Sequence, residues 1–333
     1  MNYFSRHKKL FLGIILLFFM SFLFFIWIFY NLINTPLLAS NASPIIITLD
    51  KSTTASQFVH TLKERQLIKS TKLMVALIQY EDLAQQLKAG VYQINPGETP
   101  LQLLHRVAKG DVLSFNFTII AGTTQKKIEQ DLKAAAYLNY DPSVWADFKQ
   151  THPNAEGLLL ADTYRYAGGS DAKKILQQAH RNLINYLNEC WENRSPNLPY
   201  KTPYELLIAA SIIEKETAVP QERKLISGVV INRLNKHMPL QMDPTVIYAM
   251  ADTYKGSLTH EDLSINSPYN TYQNRGLPPT PIAMVGKEAI DAAAHPQLSN
   301  YLYFMARGDG THQFSQTYEE QKQAINQYKR KGS

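Results

Sequence analysis

The chain has 333 residues, enough for two folded domains and an anchor. Its formal charge of +6 does not point to nucleic acid. Arg6, Lys8, Lys9, Lys329, Arg330 and Lys331 lie at the two ends, and the stretch between them is electrically neutral, which does not argue for phosphate-backbone binding. A single cysteine, Cys190, rules out an intramolecular disulfide; it falls in an apolar-periodic helix and reads as a buried structural thiol.

In chain order, the first predicted element is a membrane span. Leu10 to Ile33 carries no charged residue, and its roughly 24 residues rise about 36 Å as a helix, enough for a hydrocarbon core of about 30 Å. Arg6, Lys8 and Lys9 precede it and the next charge is Asp50. The positive-inside rule therefore puts residues 1–9 in the cytoplasm and everything after the span outside. Trp27 and Tyr30 suit the outer interface. A cleaved signal peptide cut near Ser40 calls for an apolar region of about 7–15 residues, so an uncleaved anchor is expected. Residues 34–43 form a small, polar linker.

Ile45 to Leu49 predicts a strand, β-branched and bounded by Pro44 and Asp50. Phe58, Leu62 and a following Leu67 fit a helix, and Lys72 to Leu87 a second one. Ala89 to Ile94 predicts another strand, with Asn95-Pro96-Gly97-Glu98 as its turn. Leu101, Leu104 and Val107 then follow at helical spacing up to Gly110. Phe115–Ile120 and Gly122–Leu138 repeat the strand–helix pattern. A second domain is expected to begin near Ala155-Glu156-Gly157. In it, Ser170 caps a helix from Asp171 to about Asn193. Thr202-Pro203-Tyr204-Glu205 has the form of a capping box and opens a helix to Thr217. Lys224–Asn235 forms a third helix. Tyr301–Ala306 and Thr311–Phe314 make a hairpin across Arg307–Gly310, and Thr317–Lys329 closes the chain as a helix. The class is α+β, with a mostly helical second domain carrying a hairpin.

The residues that suit chemistry begin with Ile212-Ile213-Glu214-Lys215-Glu216-Thr217. The helix that ends there is apolar nearly all round, so a glutamate at its end is poorly solvated, which favours the protonated form and equips it to donate a proton. Glu214 and Glu216 lie about 200° apart on the helix, and spacing alone does not choose between them or exclude an ordinary surface Glu-Lys-Glu. Downstream, Gln241, Asp243, Tyr269, Asn270 and Tyr272 offer polar groups and rings that suit either a cleft or an ordered loop and helix cap. Ser170-x-x-Lys173 and Ser264-x-Asn266 imitate a penicillin-binding pattern, but no Lys-Thr-Gly follows. His260-Glu261-Asp262 has no second histidine at ligand spacing. No metal or cofactor is expected.

Five segments in fixed order carry a resemblance: Glu156-Gly157 with Asp162-Thr163-Tyr164, the glutamate helix, Gln241-x-Asp243-Pro244-Thr245, Tyr269-Asn270-Thr271-Tyr272 with Gly276-Leu277-Pro278-Pro279, and Ala292-Ala293-Ala294-His295-Pro296. Together they resemble the endolytic murein transglycosylases, the YceG-like family. The resemblance implies that the first glutamate of the run, Glu214, is catalytic, with Gln241, Asp243, Tyr269, Asn270 and Tyr272 binding substrate. It implies a LysM-like domain at 44–112, carried by Gly90, Tyr92, Pro96-Gly97 and Leu103-Leu104, that docks on peptidoglycan amino sugars or only spaces the enzyme from the membrane. A connecting segment would occupy 113–154 and the catalytic domain 155–333.

The implied activity is that of a lyase on nascent peptidoglycan glycan strands. Hydrolysis of a glycoside ordinarily needs two carboxyl groups flanking the bond. A lytic transglycosylase instead uses the C6 hydroxyl of N-acetylmuramic acid, so a single glutamate donates one proton and recovers another. The implied setting is the bacterial inner membrane, single-pass, with the catalytic domain periplasmic and peptidoglycan synthases (penicillin-binding proteins) as partners. The alternatives are a muramidase-type hydrolase and a non-catalytic peptidoglycan-binding spacer.

Overall fold

In a computed structural model the described residues are 3–148 and 152–331. The first two residues of the expected cytoplasmic tail, residues 149–151 of the expected connecting segment and Gly332-Ser333 lie outside them. The chain forms two compact units, one of residues 1–115 with 166–170, the other of 116–165 with 171–333.

In the first unit, helix α1 (Tyr3–Asn34) contains Phe11–Asn31, the one helical stretch among the described residues long and apolar enough to cross a membrane. Strand β1 (Ile45–Leu49) pairs antiparallel with β2 (Gly90–Ile94), from Ile45 opposite Ile94 to Leu49 opposite Gly90. Helices α2 (Ala55–Glu64) and α3 (Thr71–Tyr80) lie between them in sequence, and α4 (Pro100–Lys109) follows. Thr54 with Gln57 and Thr99 with Gln102 form reciprocal capping boxes at α2 and α4. Gly110, at φ 77°, ends α4 in the left-handed conformation that costs a glycine little.

Helix α3 stops at Tyr80 rather than at Leu87, because Asp82 takes a left-handed turn at φ 53° that drops Leu83 into the core. That core gathers Ile47, Phe58, Leu62, Met74, Leu77, Tyr92 and Leu104, and Phe29 and Ile33 from the end of α1 pack against it.

Strand β3 (Ser114–Thr118) pairs with β4 (Thr163–Ala167), a strand that the sequence pattern did not predict. The second unit then adds α5 (Gln125–Ala134), α6 (Ala172–Glu192), α7 (Pro203–Glu216), α8 (Pro220–Asn235), α9 (Asp243–Met250) and α10 (Lys287–Ala294). The β5 (Tyr303–Ala306) and β6 (His312–Ser315) hairpin and α11 (Tyr318–Lys331) complete it. The cap of α6 is Asp171, whose carboxylate accepts from Lys173 N at 2.7 Å, not Ser170. Cys190 is buried as expected.

Helix α7 is the centre of this unit. Every residue from Leu206 to Ile213 is buried, and α6, α8, α9 and α10 all pack on it. A helix covered on all sides needs apolar residues all round, which is what its sequence provides.

Candidate active site

At its start, α7 is capped by Thr202, whose hydroxyl accepts from Glu205 N at 3.2 Å, while the Glu205 carboxylate reaches Lys201 N. The far end is the chemically interesting one. The last turn leaves the buried layer and carries Glu214 and Glu216 in opposite directions, toward different neighbours.

Glu214 is nearly inaccessible, its side chain 5% exposed. One carboxylate oxygen accepts from Arg223 Nη2 at 3.1 Å and the other from Gly286 N at 2.9 Å. Arg223 comes from the first turn of α8, and Gly286 is the N-cap of α10. An anion at a helix N-terminus, opposite a guanidinium, is in a doubly favourable field. A Cβ at Gly286 would stand 3.0 Å from Glu288 Oε2 and 3.5 Å from Glu214 Oε2, so a larger residue there would crowd this junction.

Glu216 has the opposite surroundings. Its Oε1 is buried and has no hydrogen-bond partner. Burial first, then the negative charge of Asp243, push its carboxyl up to about 8, with Arg233 pulling the other way. Asp243 stands at the start of α9 and accepts from Tyr272 OH at 2.5 Å. The Tyr272 hydroxyl is itself pushed up by burial, its bond to Asp243 and the charges of Asp243 and Glu216. Arg233 closes the group: Nη1 donates to Gln241 Oε1 at 3.1 Å and to Leu240 O at 2.8 Å, and Nε to Leu302 O at 2.6 Å. Gln241 holds a left-handed conformation, φ 52°, and its N–H donates to Thr271 O at 3.1 Å. Asp243 and Gln241 are exposed and Tyr272 is half-buried. The structure therefore gathers three of the expected substrate residues, Gln241, Asp243 and Tyr272, around Glu216.

Tyr269 and Asn270 occupy different positions. Asn270 is fully buried; its amide donates to Leu263 O and Ile265 O, and its Oδ1 accepts from Tyr272 N at 2.9 Å. It shapes the loop that presents Tyr272 and does not reach the surface. Tyr269 bonds Thr280 through its hydroxyl at 2.9 Å and packs beside Tyr248, ring centres 4.9 Å apart, over a core containing Ile212 of α7. Tyr248 in turn donates to Glu156, a buried carboxylate that also accepts from Gln125 N at the start of α5. Burial pushes Glu156 up to about 7.

The residues that sequence reasoning missed are Arg223, Arg233 and Tyr248. A signal for Arg233 was present: it follows Ile226, Val229 and Val230 at helical spacing, a cation on the apolar face of α8. A cavity of about 720 Å³ between Thr202, Tyr204, Leu234 and Leu277 lies at the opposite end of α7, roughly 18 Å along the helix from Glu216. It holds neither glutamate, and the chemistry is placed by the carboxylates instead.

Comparison with known proteins bears on the family of the chain. The sequence profile of the YceG-like family matches residues 47–327. An endolytic murein transglycosylase of Bacillus subtilis is 30% identical over 322 residues, covering 88% of this chain and 87% of that protein. One from Streptococcus pneumoniae is 27% identical, covering 81% of this chain but 56% of its own longer sequence. A crystal structure of a yceG-like protein from Listeria monocytogenes superposes with a TM-score of 0.54 at 28% identity, over 84% of this chain and 98% of that one.

Proposed function

This chain belongs to the YceG-like family, and we propose that it is an endolytic murein transglycosylase whose proton donor is Glu216. It cleaves the bond between N-acetylmuramic acid and N-acetylglucosamine inside nascent glycan strands and so limits their length. The supporting observation is the unpartnered, buried Oε1 of Glu216 beside the Asp243–Tyr272 pair and Arg233. A carboxyl pushed up to about 8 holds its proton at neutral pH and has an acceptor-free oxygen from which to give it.

In the reaction, Glu216 protonates the glycosidic oxygen as the C1–O bond breaks. The muramic acid C6 hydroxyl attacks C1, closes the 1,6-anhydro ring and returns its proton to Glu216. No water is consumed and the enzyme ends as it began. Arg233 stabilises the carboxylate during the interval in which it is charged, and Asp243 faces the positive charge that develops on the sugar ring. On the resemblance alone, the expected acid is Glu214, the first glutamate of the run. We depart from it because both Glu214 oxygens already accept N–H donors, leaving that residue as the tie between α7, α8 and α10.

The glycan products carry the test. Ends in 1,6-anhydro-N-acetylmuramic acid, each one water lighter than the hydrolysis product and free of label after digestion in oxygen-18 water, are expected. Labelled reducing ends would make the protein a hydrolase, with Asp243 as its second carboxylate.

For the setting, we infer that α1 anchors the chain in the inner membrane, N-terminus in the cytoplasm, with the folded units in the periplasm near peptidoglycan synthases of the penicillin-binding type. The charge-free apolar stretch behind Arg6, Lys8 and Lys9 supports this. The 44–112 region reads as LysM-like, and a groove at the β2–α4 turn between Asn95, Glu98, Gln102 and Arg106 supports glycan docking there. N-terminal sequencing of membrane-extracted protein is expected to recover the original start.

A further inference from the structure

The first unit has a surface that neither catalysis nor glycan docking explains. Helix α3 turns Met74, Leu77 and Ile78 into the core, as an amphipathic helix does. Its other face carries Lys72 and Gln79 but is not wholly polar. Leu73, Ala76 and Tyr80 recur at helical spacing there, with Leu73 36% and Tyr80 76% exposed. No acidic residue interrupts the helix, and Lys69 and Lys72 flank its start, both exposed.

The position of this face follows from α1. Tyr80 meets Phe29 edge-on, ring centres 5.9 Å apart, and Phe29 and Ile33 pack into the core of the same unit. If a hydrocarbon core of about 30 Å takes up roughly 20 residues from Leu10, it ends near Phe29. Trp27 and Tyr30, both more than half exposed, lie at the depth where such rings anchor. Tyr80 therefore stands at the same depth, brought there by a helix end with no free linker between. At Leu73 of α3, a groove of about 350 Å³ opens between Trp27, Asn31, Pro36, Leu67 and Leu73, and Lys69 also lines it. A largely apolar groove whose lining includes a lysine and several polar side chains, at the edge of a bilayer, has the chemistry of a phospholipid site.

We propose that the outer face of α3 lies in the interfacial layer of the membrane, and that the groove beside α1 seats a phospholipid, its acyl chain along Trp27 and Leu73 and its phosphate toward Lys69. The inference rests on the reading of α1 as a membrane anchor. It adds that the first unit lies on the lipid surface and is not held away from it on a stalk.

The experiment uses the full chain in vesicles of phosphatidylcholine and phosphatidylglycerol. Leu73→Cys, Tyr80→Cys and Lys51→Cys each receive a bimane label; the native Cys190 is buried. Lys51 follows the Leu49–Gly90 end of the β1–β2 pair, whereas Leu37 N and Leu38 O, just past α1, bond Glu98 and Gly97 beyond the Ile45–Ile94 end. Those ends are about 13 Å apart, so Lys51 reports the side away from the bilayer. Flotation first establishes that the protein is in the vesicle. Labels at 73 and 80 are then expected to be quenched by lipids carrying a shallow nitroxide and shielded from aqueous iodide, with the reverse at 51. Floating protein whose labels at 73 and 80 behave like the one at 51 overturns the lipid face while leaving the anchor intact. Labels at 73 and 80 that become shielded only when glycan is added overturn it in favour of a sugar surface. Protein that fails to float removes the anchor, and this inference with it.

Discussion

Glu214 and Glu216 are two residues apart on one helix and have opposite surroundings. Glu214 is a carboxylate with two donors, Arg223 and the Gly286 N–H; Glu216 has a buried oxygen with none and a negative neighbour in Asp243. The same side chain is thus made into a tie in one place and a proton store in the other. The difference comes from what α8, α9 and α10 bring to each side of α7. It teaches that burial alone does not make an acid; burial with the pairing withheld does.

The comparison can be broken most sharply by replacing each glutamate. Glu216→Gln keeps the shape and removes the proton, and a loss of about 10²–10⁴ in kcat is expected, the usual worth of general acid–base catalysis, with the melting transition retained. Arg233→Leu should cost the fold on the order of 3 kcal/mol, because Leu302 O, Leu240 O and Pro239 O lose a buried donor together; chemical denaturation measures it. Glu214→Gln keeps an acceptor for Gly286 N but leaves Arg223 without its charge partner. About 1–3 kcal/mol of stability should go, while the variant that remains folded still makes anhydro ends. Asp243→Asn removes a charge that raises Glu216, so the alkaline limb of kcat/KM should move to lower pH.

Stability against pH sharpens the same contrast. Glu216 is pushed up to about 8 and Glu156 to about 7, against about 4.3 in an unfolded chain. A carboxyl raised on folding contributes stability that is fully present below the unfolded value and is lost as pH rises through the folded one. Unfolding free energy should therefore fall between about pH 4.5 and 8. Glu216→Gln should flatten the upper part of that fall and leave the contribution of Glu156 below about pH 7.

Much of this was legible in the chain itself. The apolar run of α1, the β1–β2 strands, the cap at Thr202 and the hairpin all follow from periodicity and turn chemistry. Helices α9 and α10 did not, since each has eight residues, about two turns, too few for a period to stand out. Nor did β4, whose Thr-Tyr-Arg-Tyr alternation is too short to separate from loop. Within the site, Gln241, Asp243 and Tyr272 were legible only through the family resemblance, as expected substrate residues. Which glutamate they surround was not, because residues 200° apart on a helix are sorted only by the partners that tertiary structure supplies. Asn270 misled for a related reason: its polar side chain suits a ligand and a buried loop equally, and the fold uses it for the loop.

The most direct test is to watch the Glu216 proton itself. In protein labelled with carbon-13 at the glutamate carboxyls, one resonance is expected to stay in its protonated position at pH 7 and titrate near 8, and to vanish in Glu216→Gln. If the resonance lost in Glu216→Gln is already ionised at pH 7, or if the carboxyl that titrates near 8 vanishes in Glu214→Gln instead, Glu216 is not the acid.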